Sequence, residues 1–598
     1  MTQEPKKTGF NLKTLSELML KFSEKQKRIA DSMTNQTHDN EKKFDATLLT
    51  DFFEIACNIA SDPTKLMKTQ NDFFTDCLDL ATTFTKKMYG DRSRPPMEMS
   101  PVDEDKRFTG GEWEKIPYFQ FLRDSYLMIS KNINHTVAHV TGVDHKKKQR
   151  VEFLTRQILD ALSPSNYLFT NPELLKLTFE SGGENIMAGF ENFIDDINCI
   201  DGTVDIKMTD TSAFILGENI ASTPGSVVFQ NDLIQLIQYA PATPTIFATP
   251  LVISPPFINK YYILDINENN SFVKWLVDQG YTVFVISWVN PDKSHKEKTY
   301  TDYMMQGHIE AFDVIEKITK QPKLSAIGYC TGGTLLASTA AYLAAKGEDR
   351  FASLTYMASL IDFSDPGDLG HFVDSAQVES VIDDIEGAGY LDGRHLAKTF
   401  NMLRSNDLVW SYAINNYLKG KRPLPFNILY WNSDSTNLPA RMYGFYLQNM
   451  YVENRLIDPG GIILNEVPLD LRNIKAPAYY LATEEDHIVL WHAVYKGTFR
   501  HSGDIRFVLG GSGHVAGVVN PPGKHKYGFR VSDTRPEDPG AWLESSKWTQ
   551  GSWWVDWYKW HQPYAGKIIA HRIPGKGKYK EIEPAPGSYV KNTILKQD

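Results

Sequence analysis

The sequence predicts an α/β protein: a parallel sheet flanked by helices, split by a long insertion and preceded by a helical domain. Three observations carry this. From about residue 245, buried-strand and helix patterns alternate. The alternation stops between about 362 and 470 and then resumes, which places an insertion inside one domain, because the sheet needs both flanks to complete it. The first hundred residues instead carry apolar side chains at helical spacing. The expected domains are a helical unit at 1–205 and an α/β unit at 206–598, with the insertion at about 362–470.

The elements follow in order. Leu12, Leu15, Leu18, Met19 and Phe22 recur at three- and four-residue steps and form one apolar stripe. Phe52, Phe53, Phe73, Phe74 and Phe84 add aromatic weight. Packing within the protein is the plain reading of this face; adhesion to a partner or an apolar surface is the other. Asp144 is placed to cap a helix whose first turns, His145-Lys146-Lys147-Lys148-Gln149-Arg150, read as a solvated face. His135 and His139 stand four apart, but Thr136 occupies the place of the H-E-x-x-H glutamate, so no metal site is expected. Buried strands are expected at 250–254, 281–286, 324–328, 353–357, 478–482 and 505–509, with helices at 271–278, 301–318 and 332–345 between them. Near the C-terminus Trp548, Trp553, Trp554, Trp557 and Trp560 cluster. They read as a core-packing helix, with an apolar contact surface as the alternative.

Composition removes several function classes. A net charge of -10 over 598 residues argues against a nucleic-acid partner, which calls for a basic face. Cys57, Cys77, Cys199 and Cys330 are widely spaced with no C-x-x-C pair, so neither a disulfide framework nor a Cys-rich zinc site is expected, and the compartment reads as reducing. The polar start Met1-Thr2-Gln3-Glu4-Pro5-Lys6-Lys7 does not read as a signal peptide. No run of about 18 apolar residues suits a membrane span.

The sharpest motif is Gly328-Tyr329-Cys330-Thr331-Gly332-Gly333, set between a buried strand and a small-residue helix. It has the G-x-S-x-G pattern of a nucleophile elbow, with Cys330 at the serine position, and so predicts an α/β-hydrolase fold. The turn is so sharp that side chains two residues either side of the nucleophile would clash, which glycine avoids. The helix starting there favours a thiolate through its N-terminal N–H groups and dipole. Nucleophile, acid and histidine follow one another along chains of this fold. Asp486 is the chosen acid in Thr483-Glu484-Glu485-Asp486-His487, with Glu484 and Glu485 as competitors. His514, in Gly510-Gly511-Ser512-Gly513-His514 after the last core strand, is the chosen base; His487 is the alternative but lies a strand too early. Oxyanion N–H groups are expected from Thr331 and, in the loop after the first core strand, from Ile258, since Pro255 and Pro256 have none to donate. A thiolate exchanges readily with a thioester and leaves an acyl-cysteine reactive toward an alcohol, which favours acyl-CoA transfer over ester hydrolysis.

These and further stretches resemble class I polyhydroxyalkanoate (poly-3-hydroxybutyrate) synthases from about residue 100 onward. The resemblance is carried in order by Ser163-Pro164-Ser165-Asn166, Thr170-Asn171-Pro172-Glu173, Thr223-Pro224-Gly225, Pro255-Pro256-Phe257-Ile258-Asn259-Lys260-Tyr261-Tyr262-Ile263-Leu264-Asp265 and the elbow. It continues through Asn406-Asp407-Leu408-Val409-Trp410, Trp431-Asn432-Ser433-Asp434-Ser435-Thr436-Asn437, Glu485-Asp486-His487-Ile488 and Gly513-His514-Val515-Ala516-Gly517. It implies polymerisation of (R)-3-hydroxyacyl-CoA thioesters into polyester through acyl-Cys330, with Asp486 and His514 completing the triad and CoA leaving. No cofactor is implied. Arg404 matches a position near the CoA phosphates, with a salt bridge as its other reading, and Asp265 and His487 are expected beside the substrate or CoA. The family also implies a cap at the insertion, a homodimer, phasin-type partners and a cytoplasmic location at the surface of polyester granules. Phe257 departs from the smaller residue of some members. The competing functions are an acyl-CoA thioesterase or intracellular polyester hydrolase of the same fold, and a non-catalytic granule-coat protein.

Overall fold

The computed structural model describes residues 12–33, 51–58, 63–88, 105–198, 203–373 and 375–596. The readings made on Met1 to Lys7 and on Cys199 lie outside them. The chain divides into two compact units: Met1–Asp210 with Phe400–Leu424, and Thr211–Thr399 with Pro425–Asp598.

Among the described residues of the second unit, eleven strands share one sheet. In chain order they are β1 (Gly225–Gln230), β2 (Ile234–Tyr239), β3 (Leu251–Ser254), β4 (Val283–Trp288), β5 (Leu324–Tyr329) and β6 (Phe351–Met357). There follow β7 (Ala478–Thr483), β8 (Ile505–Gly510), β9 (Gly528–Val531), β10 (Lys547–Gln550) and β11 (Glu583–Pro584). Their spatial order is β10-β9-β8-β7-β6-β5-β3-β4-β2-β1-β11. The central run from β8 to β4 is parallel. Helices cover such a sheet on both faces, so β3, β4, β5 and β7 are buried along their whole length, as their unbroken apolar runs predicted. β6 and β7 are neighbours in register, Leu354 opposite Ala478, although 120 residues separate the ends of these two strands. The intervening stretch is therefore inserted between two neighbouring strands.

Three features differ from the sequence reading. The antiparallel wings, β1, β2 and β11 on one side and β9 and β10 on the other, were not anticipated. β2 is buried throughout despite Gln235 and Gln238, and β10 is exposed throughout, so neither alternates. The expected helix at 301–318 is broken by a π-helical turn at Tyr303–Ile309. Gly307 lies in that turn and lets the Trp288 ring pack against it: a Cβ there would lie 2.5 Å from the ring. Finally, the insertion is not one body. Its middle, 400–424, belongs to the helical unit, which also runs to 210 rather than 205.

The helical unit shows why. Gly189 has no Cβ to collide with the Tyr417 carbonyl, so the two backbones approach closely. Tyr417 then donates its hydroxyl to Asp196 at 2.8 Å, while the side-chain amides of Asn185 and Asn192 donate to the carbonyls of Leu418 and Asn416. Asp144 caps Lys146 and Lys147 as expected. The N-terminal stripe packs in part, Phe22 against Phe190 at 5.9 Å, but leaves Met19, Phe53 and Phe74 exposed.

Candidate active site

β5 ends at Tyr329, and the helix Thr331–Ala345 starts one residue after Cys330, so Cys330 occupies the turn itself. Cys330 has φ 52° and ψ -125°, a conformation that side chains avoid and that costs on the order of 1–3 kcal/mol. The surroundings enforce it. A Cβ on Gly328 would meet Gly333 Cα at 2.5 Å, and one on Gly332 would collide with the Ser254 and Pro255 carbonyls. The Cys330 amide donates to Met357 O at 2.9 Å, which ties the turn to β6.

Asp486 lies in the loop after β7, and His514 lies in the loop after β8. The His514 Nδ1–Asp486 Oδ2 distance is 2.6 Å, with the carboxylate side chain 0% and the imidazole 11% exposed. The other Asp486 oxygen accepts the Ile488 and Val489 amides, each at 2.9 Å, and Thr483 donates its hydroxyl from β7 at 3.2 Å. These bonds hold the carboxylate oriented toward His514. Glu484 and Glu485 point to solvent, and His487 is half-buried beside the acid, so Asp486 and His514 are the pair that meets. Cys330 is among the groups whose charge acts on the His514 ring. Burial alone would lower its pKa, but the Asp486 and Cys330 charges outweigh burial and raise it well above the usual histidine value.

Aromatic residues hold this constellation. Tyr329 stacks on His514 with centroids 5.5 Å apart and donates its hydroxyl to the His514 carbonyl at 3.1 Å. Trp553 and Trp554 are buried, and their indole N–H groups donate to the Val518 carbonyl in the stretch following His514. The tryptophan helix Trp553–His561 is thus core, the plainer of its two readings. From the insertion, Tyr446 and Tyr451 come near enough to Cys330 to respond to its charge. Phe257 and Phe363 close an aromatic cluster around Tyr446. Sequence reasoning missed Tyr329, Tyr446 and Tyr451. Tyr329 was visible as the variable residue of the elbow; the two insertion tyrosines carried no signal.

The remaining expected residues separate. The Thr331 amide begins the helix after Cys330, and the Thr331 hydroxyl accepts the Phe257 amide at 3.3 Å, which brings the Ile258 loop to the elbow. Asp265 departs from the expectation of a substrate contact. It is 1% exposed, accepts the hydroxyls of Thr223 at 2.5 Å and Ser271 at 2.7 Å, and serves the fold. Burial pushes its pKa up to about 6. Arg404 lies in the helical unit, exposed and paired with Asp407, the salt bridge of its second reading. Cys57, Cys77 and Cys330 are free thiols. No helix among the described residues is long and apolar enough to cross a membrane.

Comparison with known proteins bears on the family and the fold. Residues 104–276 match the model of the poly-beta-hydroxybutyrate polymerase (PhaC) N-terminus, and 264–521 match that of the alpha/beta hydrolase fold. The chain is 44% identical to the poly(3-hydroxyalkanoate) polymerase of Methylorubrum extorquens over 89% of this chain and 87% of that one. It is 43% identical to the poly(3-hydroxyalkanoate) polymerase subunit PhaC of Rhizobium meliloti, over 89% and 86%. With the protein of the same name from Cupriavidus necator it shares 44% over 81% and 83%.

Proposed function

This chain belongs to the poly(3-hydroxyalkanoate) polymerase family, and from that premise we propose that it polymerises (R)-3-hydroxyacyl-CoA thioesters through an acyl-Cys330 intermediate. The observation that carries the mechanism is a cysteine in a strained elbow together with a histidine whose Nδ1 meets a buried carboxylate. Cys330 sulfur attacks the thioester carbonyl, its proton passing to His514. The Thr331 and Ile258 amides stabilise the oxyanion. The bond to CoA sulfur breaks, and CoA leaves with the proton from His514. The 3-hydroxyl of the next unit or chain end then gives its proton to His514 and attacks acyl-Cys330. An ester forms and the Cys330 thiol is regenerated. Asp486 keeps Nδ1 protonated throughout and stabilises the imidazolium. The aromatic cluster around Tyr446 keeps water from the acyl-enzyme, which favours transfer over hydrolysis.

The test is CoA release from (R)-3-hydroxybutyryl-CoA, followed with a thiol reagent, with inspection of the product and Cys330→Ala as control. Insoluble polyester with wild type and none with the variant is the expected result. Free 3-hydroxy acid as the sole product would instead make the protein a thioesterase. We place the enzyme at the granule surface as a homodimer that meets phasin-type proteins, in line with the family. Sedimentation with and without substrate, and co-sedimentation with polyester particles, test this placement.

A further inference from the structure

The Ile258 loop must hold an amide within tenths of an ångström of a developing oxyanion, yet it lies outside the sheet ladder. Its tethers come from far along the chain. Trp431 Nε1 donates to Lys260 O at 2.7 Å, and the Thr436 amide donates to Ile258 O at 3.0 Å. Asn259 bridges Ser435. The tethering stretch 431–436 is itself centred on Asp434, a buried carboxylate. One Asp434 oxygen accepts the Tyr262 hydroxyl at 2.9 Å and the other the Thr593 hydroxyl at 2.6 Å. Lys260 is equally buried, and its ammonium donates to the Asn592 carbonyl at 2.8 Å.

We propose that the C-terminal tail, residues 589–595, is a positioning element for acyl transfer: through Asn592 and Thr593 it locks Lys260 and Asp434, and so fixes the loop that presents the Ile258 amide. This rests on the polymerase reading for its substrate. The tail is already anchored to the sheet, where Tyr589 donates its hydroxyl to Asn231 O at 2.6 Å and its amide to the Gln235 side chain at 3.1 Å. A simple staple needs no more than that. Its continuation instead accepts from the buried Lys260 ammonium of the loop and donates to the buried Asp434 carboxylate of the stretch that tethers it. Charges buried without such bonds are costly, so the loop and stretch 431–436 would shift to resolvate them if the tail were absent. Burial pushes the Lys260 pKa down and the Asp434 pKa up, and at Asp434 the nearby Lys260 charge and the Thr593 and Tyr262 hydroxyls offset part of that burial.

The experiment uses the full chain, Thr593→Val, Thr593→Ser, and a truncation lacking residues 591–598. Turnover of (R)-3-hydroxybutyryl-CoA is measured beside acylation by p-nitrophenyl butyrate and alkylation of Cys330 by iodoacetamide. Alkylation develops no oxyanion. The expected result for Thr593→Val is a kcat about 10-fold lower with KM and alkylation rate unchanged, the loss being part of the roughly 100-fold that misplacement of a catalytic geometry can cost. Thr593→Ser should recover wild-type kcat, and the truncation should lose about 100-fold. Wild-type turnover by Thr593→Val and by the truncation overturns the proposal. So does alkylation that slows in step with turnover, since the tail would then support the whole fold. Failure of wild type on the CoA substrate alone counts against the polymerase reading. The variant-to-wild-type ratio on the p-nitrophenyl ester still decides the role of the tail.

Discussion

His514 meets Asp486 at 2.6 Å and His492 meets Asp365 at 2.9 Å, two histidine–carboxylate pairs of similar length in one α/β unit. Their surroundings differ. The first pair is 11% and 0% exposed, and the second 34% and 36%. Asp486 also holds two amides and a hydroxyl, and His514 reaches a cysteine in a strained turn. Asp365 has its pKa lowered chiefly by the His492 hydrogen bond, and its pair faces solvent. His308 and His561 complete the contrast: buried without a carboxylate partner, both are pushed down to about 3 and stay neutral. What sets His514 apart is a buried anion that offsets its burial, not the length of the histidine–carboxylate bond.

The largest test of this contrast exchanges one carboxylate at a time. Asp486→Asn should cut kcat by about 10⁴-fold, because the neutral amide no longer fixes the tautomer or stabilises the imidazolium. Asp365→Asn should leave turnover within about twofold, as expected of a surface substitution away from the chemistry. Equal losses in the two variants would break the contrast. A second, smaller effect is read from pH. His514 has a folded pKa raised above its unfolded value of 6.5, so its contribution to stability is complete below that value and is lost as pH rises through the raised folded value. The melting temperature of wild type minus that of His514→Gln should therefore shrink from mildly acidic to alkaline buffer. A difference that grows would place the neutral imidazole in the folded state.

Much of this was legible beforehand, for a local reason. The elbow is written in glycines whose absent Cβ atoms are demanded by neighbours a few residues away or on the adjoining strand, as Gly328 and Gly332 show. Asp486 follows a strand buried along its whole length, and His514 follows one whose last four residues are buried. What was not legible depends on distant contacts. Residues 400–424 join the helical unit through Tyr417 and Asn416, residues with no periodicity to announce it. Asp265, in a stretch that resembles the family, reads as a functional carboxylate until Thr223 and Ser271 are seen to occupy it. The wings fail for a related reason: a strand such as β10, exposed along its length, lacks the alternation that would reveal it.

The smallest effect concerns the exposed pair itself. His492→Gln keeps a donor but removes the imidazole, and partly exposed pairs of this kind contribute about 0–1 kcal/mol. The expected loss in unfolding free energy is therefore below about 1 kcal/mol, and it should fade with added salt as the charges are screened. The sign with pH is opposite to that at His514. The folded pKa of Asp365 is depressed, so its contribution is present above the unfolded value of 3.8 and is lost as pH falls through the depressed folded value. Denaturant melts of wild type and His492→Gln at neutral and acid pH, each at low and high salt, measure both trends. A salt-insensitive cost well above 1 kcal/mol would mean that Asp365 and His492 are desolvated as tightly as the triad pair, and burial would no longer separate the two.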